Sequence, residues 1–166
     1  MFQRILIATD GSPPSQRAAD TGIALAWTLG ARVYAFHAVM PFPAVAYFAE
    51  MLLASRTRYT EAALKRARHY LDDVSTRAAR AGVACDGSFS INAHPYEAII
   101  TAAREHHCDL IVMASSGRHV AKSDPLGSET HCAVLYGETP VLVCPGGFPQ
   151  AEPGGGSGVF DQKAAG

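Results

Sequence analysis

Three short apolar runs, Arg4-Ile5-Leu6-Ile7-Ala8, Leu110-Ile111-Val112-Met113-Ala114 and Pro140-Val141-Leu142-Val143-Cys144, are set apart by stretches of helical periodicity. An unbroken apolar run of this length suits a strand covered on both faces of a parallel sheet, because neither face meets water. After Ala8, Thr9-Asp10-Gly11-Ser12-Pro13-Pro14 breaks the strand, with Ser12 as a candidate helix cap and prolines where a first turn tolerates them. Ala19, Ile23, Ala26 and Trp27 then keep helical spacing until Gly30. Arg32 to Val39, rich in β-branched and aromatic residues, reads as a second strand. Beyond Pro41 and Pro43 the longest helical stretch reaches about Arg80, its apolar face made by Ala63, Leu64, Ala67, Leu71, Val74 and Ala78, and Gly82 ends it. Cys85 to Ile91 is the weakest strand pattern, diluted by Gly87 and its serines. Pro95 opens a third helix with Ala98, Ile99, Ala102 and Ala103 on its apolar face, and a fourth runs from Ser128 to Tyr136, closed by Gly137.

Strands that alternate with helices imply right-handed crossovers, and hence an α/β fold with a parallel sheet and helices on both faces. No internal repeat is visible. Residues 1–145 are expected to carry the fold, and residues 146–166, with Gly154-Gly155-Gly156-Ser157-Gly158, to form a flexible tail. Hydrophobic residues at 48% and charged ones at 17% exclude an intrinsically disordered chain. A formal net charge of −1 removes bulk attraction to nucleic acid or an anionic membrane, so neither is expected as a partner. Met1 to Ala8 has no basic leader followed by a long apolar segment, and no stretch is apolar for the roughly 18 residues a membrane span needs. Cys85, Cys108, Cys132 and Cys144 are widely spaced, which suits buried thiols in a reducing compartment better than disulfides or zinc. A cytoplasmic location is expected.

Ligands of open parallel sheets sit beyond the carboxyl ends of the strands, where strand order reverses. Ala8 to Ser12, Ala38 to Met40 and Ala114 to Ser128 should gather there. The chain has neither G-x-G-x-x-G nor G-x-x-x-x-G-K-[ST], which argues against an NAD-type site and a Walker P-loop. The third segment carries the chemistry. Gly117 and Gly127 bracket nine residues, and Gly127-Ser128 leads into a helix whose unpaired amides and dipole favour an anion such as phosphate. Arg118, Lys122 and His119 add positive charge, while an ordinary βα loop with turn glycines is the plainer reading. Asp10 reads as a ligand group, with a turn-former or helix cap after the first strand as the alternative. His37 reads as a core or sheet-end histidine. His94, His106, His107 and Cys108 lack metal-ligand spacing, the adjacent His106 and His107 pointing to different sides of a helix. Ser115 and Ser116 read as loop lining.

This segment resembles the universal stress protein motif G-x2-G-x9-G-[S/T], with Ala114 in place of the first glycine. Ile5 to Ser12 is similar to that family's first strand and acidic turn, and Pro140 to Val143 to its closing strand. The resemblance spans about residues 2–145. It implies a five-stranded Rossmann-like sheet of order 3-2-1-4-5, similar to adenine nucleotide alpha hydrolases, binding ATP with Mg²⁺ through the phosphates. Ala8 and Asp10 would then lie near the adenine and ribose, Ala38 on the adenine, and Met113 and Ala114 on the nucleotide floor. Gly117, Arg118, Gly127, Ser128 and the Glu129 amide would hold the phosphates. A methyl at Ala114 would crowd the ligand if that backbone needs φ > 0, and would cost little in strand geometry. Gly127→Val is expected to weaken ATP binding with little change in melting temperature.

The resemblance also implies a homodimer through Val141, Leu142 and Val143 of the fifth strand, which would cover a sheet edge. A nucleotide-dependent stress-response switch acting on a protein partner is the leading expectation, with no fast catalysis and no catalytic residue assigned. A nucleotide-independent interaction module of the same fold is one alternative. A slow ATPase or self-phosphorylating protein, with Ser116 or Ser128 as acceptor, is the other.

Overall fold

The computed structural model describes residues 1–41, 49–115 and 127–145, the side chains of 49–56 excepted. Five strands and four helices alternate: β1 (Arg4–Ala8), α1 (Pro13–Leu29), β2 (Arg32–Val39), α2 (Ala49–Arg80), β3 (Cys85–Ile91), α3 (Pro95–Glu105), β4 (Leu110–Ala114), α4 (Ser128–Tyr136) and β5 (Val141–Cys144). All strand pairs are parallel and the order is β3-β2-β1-β4-β5, as the resemblance implied. Chain order reverses between β1 and β4. The weak third strand pattern is a full strand, paired with β2 from Val33↔Cys85 to Val39↔Ile91.

Period-two alternation divides the core between the two faces of the sheet. Ile5, Ile7, Val33, Ala35, Leu110, Val112 and Ala114 pack toward α1 and α2, with Ala18, Ile23 and Val74 among the facing residues. Leu6, Ala8, Tyr34, Phe36, Ile111 and Met113 pack against Ala98, Ile99, Ala102 and Ala103 of α3 and Ala133 of α4. The helices present mostly alanine, so they lie close to the sheet and the strands supply the bulk. Two sequence expectations are corrected here. Trp27 is 69% exposed, because the buried stripe of α1 runs through Ala19, Ile23 and Ala26 and leaves the next position outside. Pro140 precedes β5 and does not belong to it: lacking an N–H, it joins the ladder only as an acceptor from the Ile111 amide, at 2.9 Å.

Ser12 caps α1, its Oγ accepting from the Ser15 amide at 3.3 Å. Helices α1 and α2 end in paired back-bonds around Gly30 and Gly82. Helix α3 ends the same way, with the His107 amide donating to the Arg104 carbonyl and the Cys108 amide to the Ala103 carbonyl, but with His107 at φ 51. His106 and His107 therefore lie past the helix end and not on opposite sides of it. A Cβ in left-handed geometry costs about 1–2 kcal/mol. His107→Gly should thus stabilise the fold by about 1 kcal/mol, raising Tm by a few degrees in a thermal melt. An unchanged or lower Tm would show that the imidazole compensates.

Candidate functional site

Parallel pairing brings the ends of β1, β2 and β4 and the starts of α1, α3 and α4 to one edge of the sheet. Of the residues singled out from the sequence, Ala8, Ala38 and Met113 share one apolar cluster on the α3/α4 face. Ala114 belongs to the opposite cluster. It pairs in register with Cys144, and His107 alone among the described non-glycine residues has positive φ. Ala114 is therefore ordinary strand, its methyl packed into the core, and the condition under which alanine costs little is met. Gly117 and Arg118, with Ser116, His119 and Lys122, lie outside the described residues.

Asp10 forms the turn after β1. Its Oδ1 accepts from the Ser12 amide at 2.9 Å, and the Gly11 amide donates to Thr9 Oγ1 at 3.2 Å. Thr9, Ser12 and Ser15 are all buried, and the Thr9 and Ser15 hydroxyls lie 3.3 Å apart. This web of short polar side chains replaces a strand ladder where the chain leaves the sheet.

The first turns of α1, α3 and α4 at this edge differ in how they are satisfied. Helix α1 has Ser12. Helix α3 has no cap from its own N-cap residue, His94; instead Glu129 Oε2 accepts from the Tyr96 amide at 2.9 Å. A carboxylate thus occupies the positive end of α3. Among the described residues helix α4 has neither: its N-cap is Gly127, with φ 65 and ψ 141 and no side-chain hydrogen bond. That backbone conformation belongs to glycine. The Gly127 carbonyl accepts from the His131 amide at 3.0 Å, and buried Thr130 donates from Oγ1 to the Ala114 carbonyl at 2.9 Å. Thr130 therefore fastens the first turn of α4 to the end of β4.

Sequence reasoning missed Thr130 and the carboxylate of Glu129, since a threonine and a glutamate in a first turn look like ordinary helix residues. It also missed Tyr70, which reaches this edge from α2. Among the described residues no three His, Cys, Asp or Glu converge as a metal site. All four cysteines are free thiols, Cys108 and Cys144 buried and Cys85 and Cys132 only half-buried, which corrects the expectation that all are buried. Burial pushes the Cys108 thiol up to about 11, so it is protonated at neutral pH. No described helix is long and apolar enough to cross a membrane.

Comparison with known proteins agrees with this architecture. The model of the universal stress protein family matches residues 1–145. The chain belongs to this family. A Thermus aquaticus relative, the universal stress protein in the QAH/OAS sulfhydrylase 3′ region, is 36% identical over 144 residues, covering 86% of this chain and 98% of its own. The solved structure of a universal stress protein in complex with cAMP superimposes with a TM-score of 0.62 at 23% identity, over 88% of this chain and 99% of that one. A universal stress protein from Archaeoglobus fulgidus in complex with dAMP gives a TM-score of 0.61 at 17% identity, over 86% and 97%.

Proposed function

We propose that this universal stress protein binds ATP at the carboxyl edge of its sheet and works as a nucleotide-dependent stress-response switch in the cytoplasm. The observation that carries the reading is the start of α4: among the described residues no side chain caps its first turn as Ser12 caps α1 and Glu129 caps α3, and glycine shapes its entry. First-turn amides, which have no intrahelical acceptor, and a helix dipole suit a phosphate. The adenine packs on Ala8, Ala38 and Met113, which lie together on one face. Asp10 meets the ribose. Amides of Gly127, Ser128 and Glu129 receive phosphate oxygens, joined by Gly117 and Arg118 of the intervening loop. Two relatives solved with adenine mononucleotides, cAMP and dAMP, support an adenine ligand here.

Hydrogen bonds to a charged group contribute about 1.5–3 kcal/mol each. Three of them together with burial of the base bring affinity to the micromolar range, about −8 kcal/mol. Mg²⁺ is held through phosphate oxygens and water, the usual mode for this ion. Nucleotide binding orders the loop after β4 and biases a surface read by a protein partner, through different affinity for two states. Isothermal titration with ATP and Mg²⁺ should give a micromolar Kd. No heat at high micromolar ATP would favour the nucleotide-independent module.

β5 lies at one edge of the sheet with Val141, Leu142 and Val143 half-buried, and Leu135 and Tyr136 of neighbouring α4 are exposed. Antiparallel pairing of two β5 strands would satisfy the open edge and cover this apolar surface in a homodimer. Sedimentation velocity at micromolar concentration should show twice the 17.5 kDa chain mass, and a monomer would refute the pairing.

A further inference from the structure

Two side chains hold the turn between β1 and α1 from the face of the sheet opposite Ala8, Ala38 and Met113. His37 is one residue before Ala38 on β2, so it projects to the α2 side. Its Nδ1 lies 2.7 Å from the Thr9 carbonyl oxygen. A carbonyl only accepts, so Nδ1 carries the proton and donates. The ring meets that of Tyr70 edge-on, with centroids 5.2 Å apart and planes at 84°. Tyr70, from α2, lies flat against Gly11: its Cδ1, Cε1 and Cζ occupy the space that any Cβ at residue 11 would need.

The consequence falls on Asp10. Residue 9 is gripped through its carbonyl, residue 11 is pressed by an aromatic ring with no side chain between, and Gly11 stands at φ 71. Inside the turn, Ser12 N–H to Asp10 Oδ1 and Gly11 N–H to Thr9 Oγ1 complete the frame. A backbone fixed on both sides of one residue fixes the direction in which that residue leaves the chain.

We infer that Tyr70 and His37 are positioning residues that aim Asp10 at the sugar of the bound nucleotide and so set its preference for ribose over 2′-deoxyribose. The inference rests on the nucleotide reading above. A carboxylate held in place accepts hydrogen bonds from both ribose hydroxyls, and one free to swing loses most of the gain from the second.

Two measurements on the full chain test this. In nucleotide-free protein, Tyr70→Leu and His37→Ala should each quicken amide hydrogen exchange at Gly11 and Ser12 about tenfold, leaving Ile111 unchanged. In calorimetric titrations, the unmutated chain should prefer ATP over 2′-deoxy-ATP about tenfold, and either variant should compress that ratio to about twofold. Tyr70→Phe, which keeps the ring over Gly11, should restore it. A merely structural role would weaken both nucleotides alike and leave the ratio in place. If Tyr70→Leu does not fold, His37→Ala, which deletes the hydrogen bond to the Thr9 carbonyl at a half-buried position, carries the test. Unchanged exchange in the folded variants would overturn the brace whatever the nucleotide result. Quickened exchange with an unaltered ratio would overturn the ribose role. Quickened exchange in a protein that binds neither nucleotide would support the brace and refute the nucleotide reading itself.

Discussion

Gly127→Val should weaken ATP binding about a hundredfold, or about 2.7 kcal/mol, in a calorimetric titration. Gly127 is buried at φ 65 and ψ 141, a region closed to β-branched residues. Valine must rotate this backbone, and under the proposed binding mode the rotation turns the amides of Ser128 and Glu129 away from the phosphate. The same geometry corrects the expectation that the change would be silent for stability. Strain of about 1–3 kcal/mol falls on the folded state as well, so Tm should drop by several degrees. The two effects separate because the binding loss is measured on folded protein well below its Tm. A folded Gly127→Val protein with unaltered ATP affinity would place the phosphates elsewhere.

The largest expected effect on stability comes from Ile111→Ala. Ile111 is 0% exposed at the centre of β4, between β1 and β5. On its face of the sheet the helices contribute chiefly Ala98, Ala102, Ala103 and Ala133, which have no flexible side chain to move into a vacated space. The cavity therefore stays open, and the loss should approach the upper part of the range of about 2–5 kcal/mol for such truncations. Against the roughly 5–15 kcal/mol that holds a domain together, that is a large fraction. Urea unfolding should show a lower midpoint with an unchanged slope. A loss under about 1 kcal/mol would mean that the sheet collapses around the gap.

Where one face of the chain dominates, the sequence was readable. The apolar runs of β1 and β4 are covered on both sides, and nothing but a buried parallel strand fits them. Ser12, Gly30, Pro95 and Gly137 announce helix ends through local chemistry that tertiary packing did not overrule. Trp27 misled because helical spacing gives the direction of a stripe and not its width. At the site, Ala8, Ala38 and Met113 were named through the family resemblance alone, and their common face, with Ala114 on the other, emerges from the strand register. The roles of Glu129 and Tyr70 were not legible. Each acts on a residue far along the chain, the Tyr96 amide and Gly11, and only the crossovers of α2 and α4 make them neighbours. The doubt over Ala114 was likewise a question about backbone geometry, which residue type alone does not answer.

The most direct test is amide-resolved NMR of the ¹⁵N-labelled chain titrated with ATP and Mg²⁺. Saturable shifts should concentrate at Gly127, Ser128, Glu129 and Thr130, with weaker ones at Asp10 and Ala38 and none on β3. Binding that leaves those four amides unmoved, or that instead shifts the first turn of α1 or α3, would contradict a phosphate seat at the start of α4.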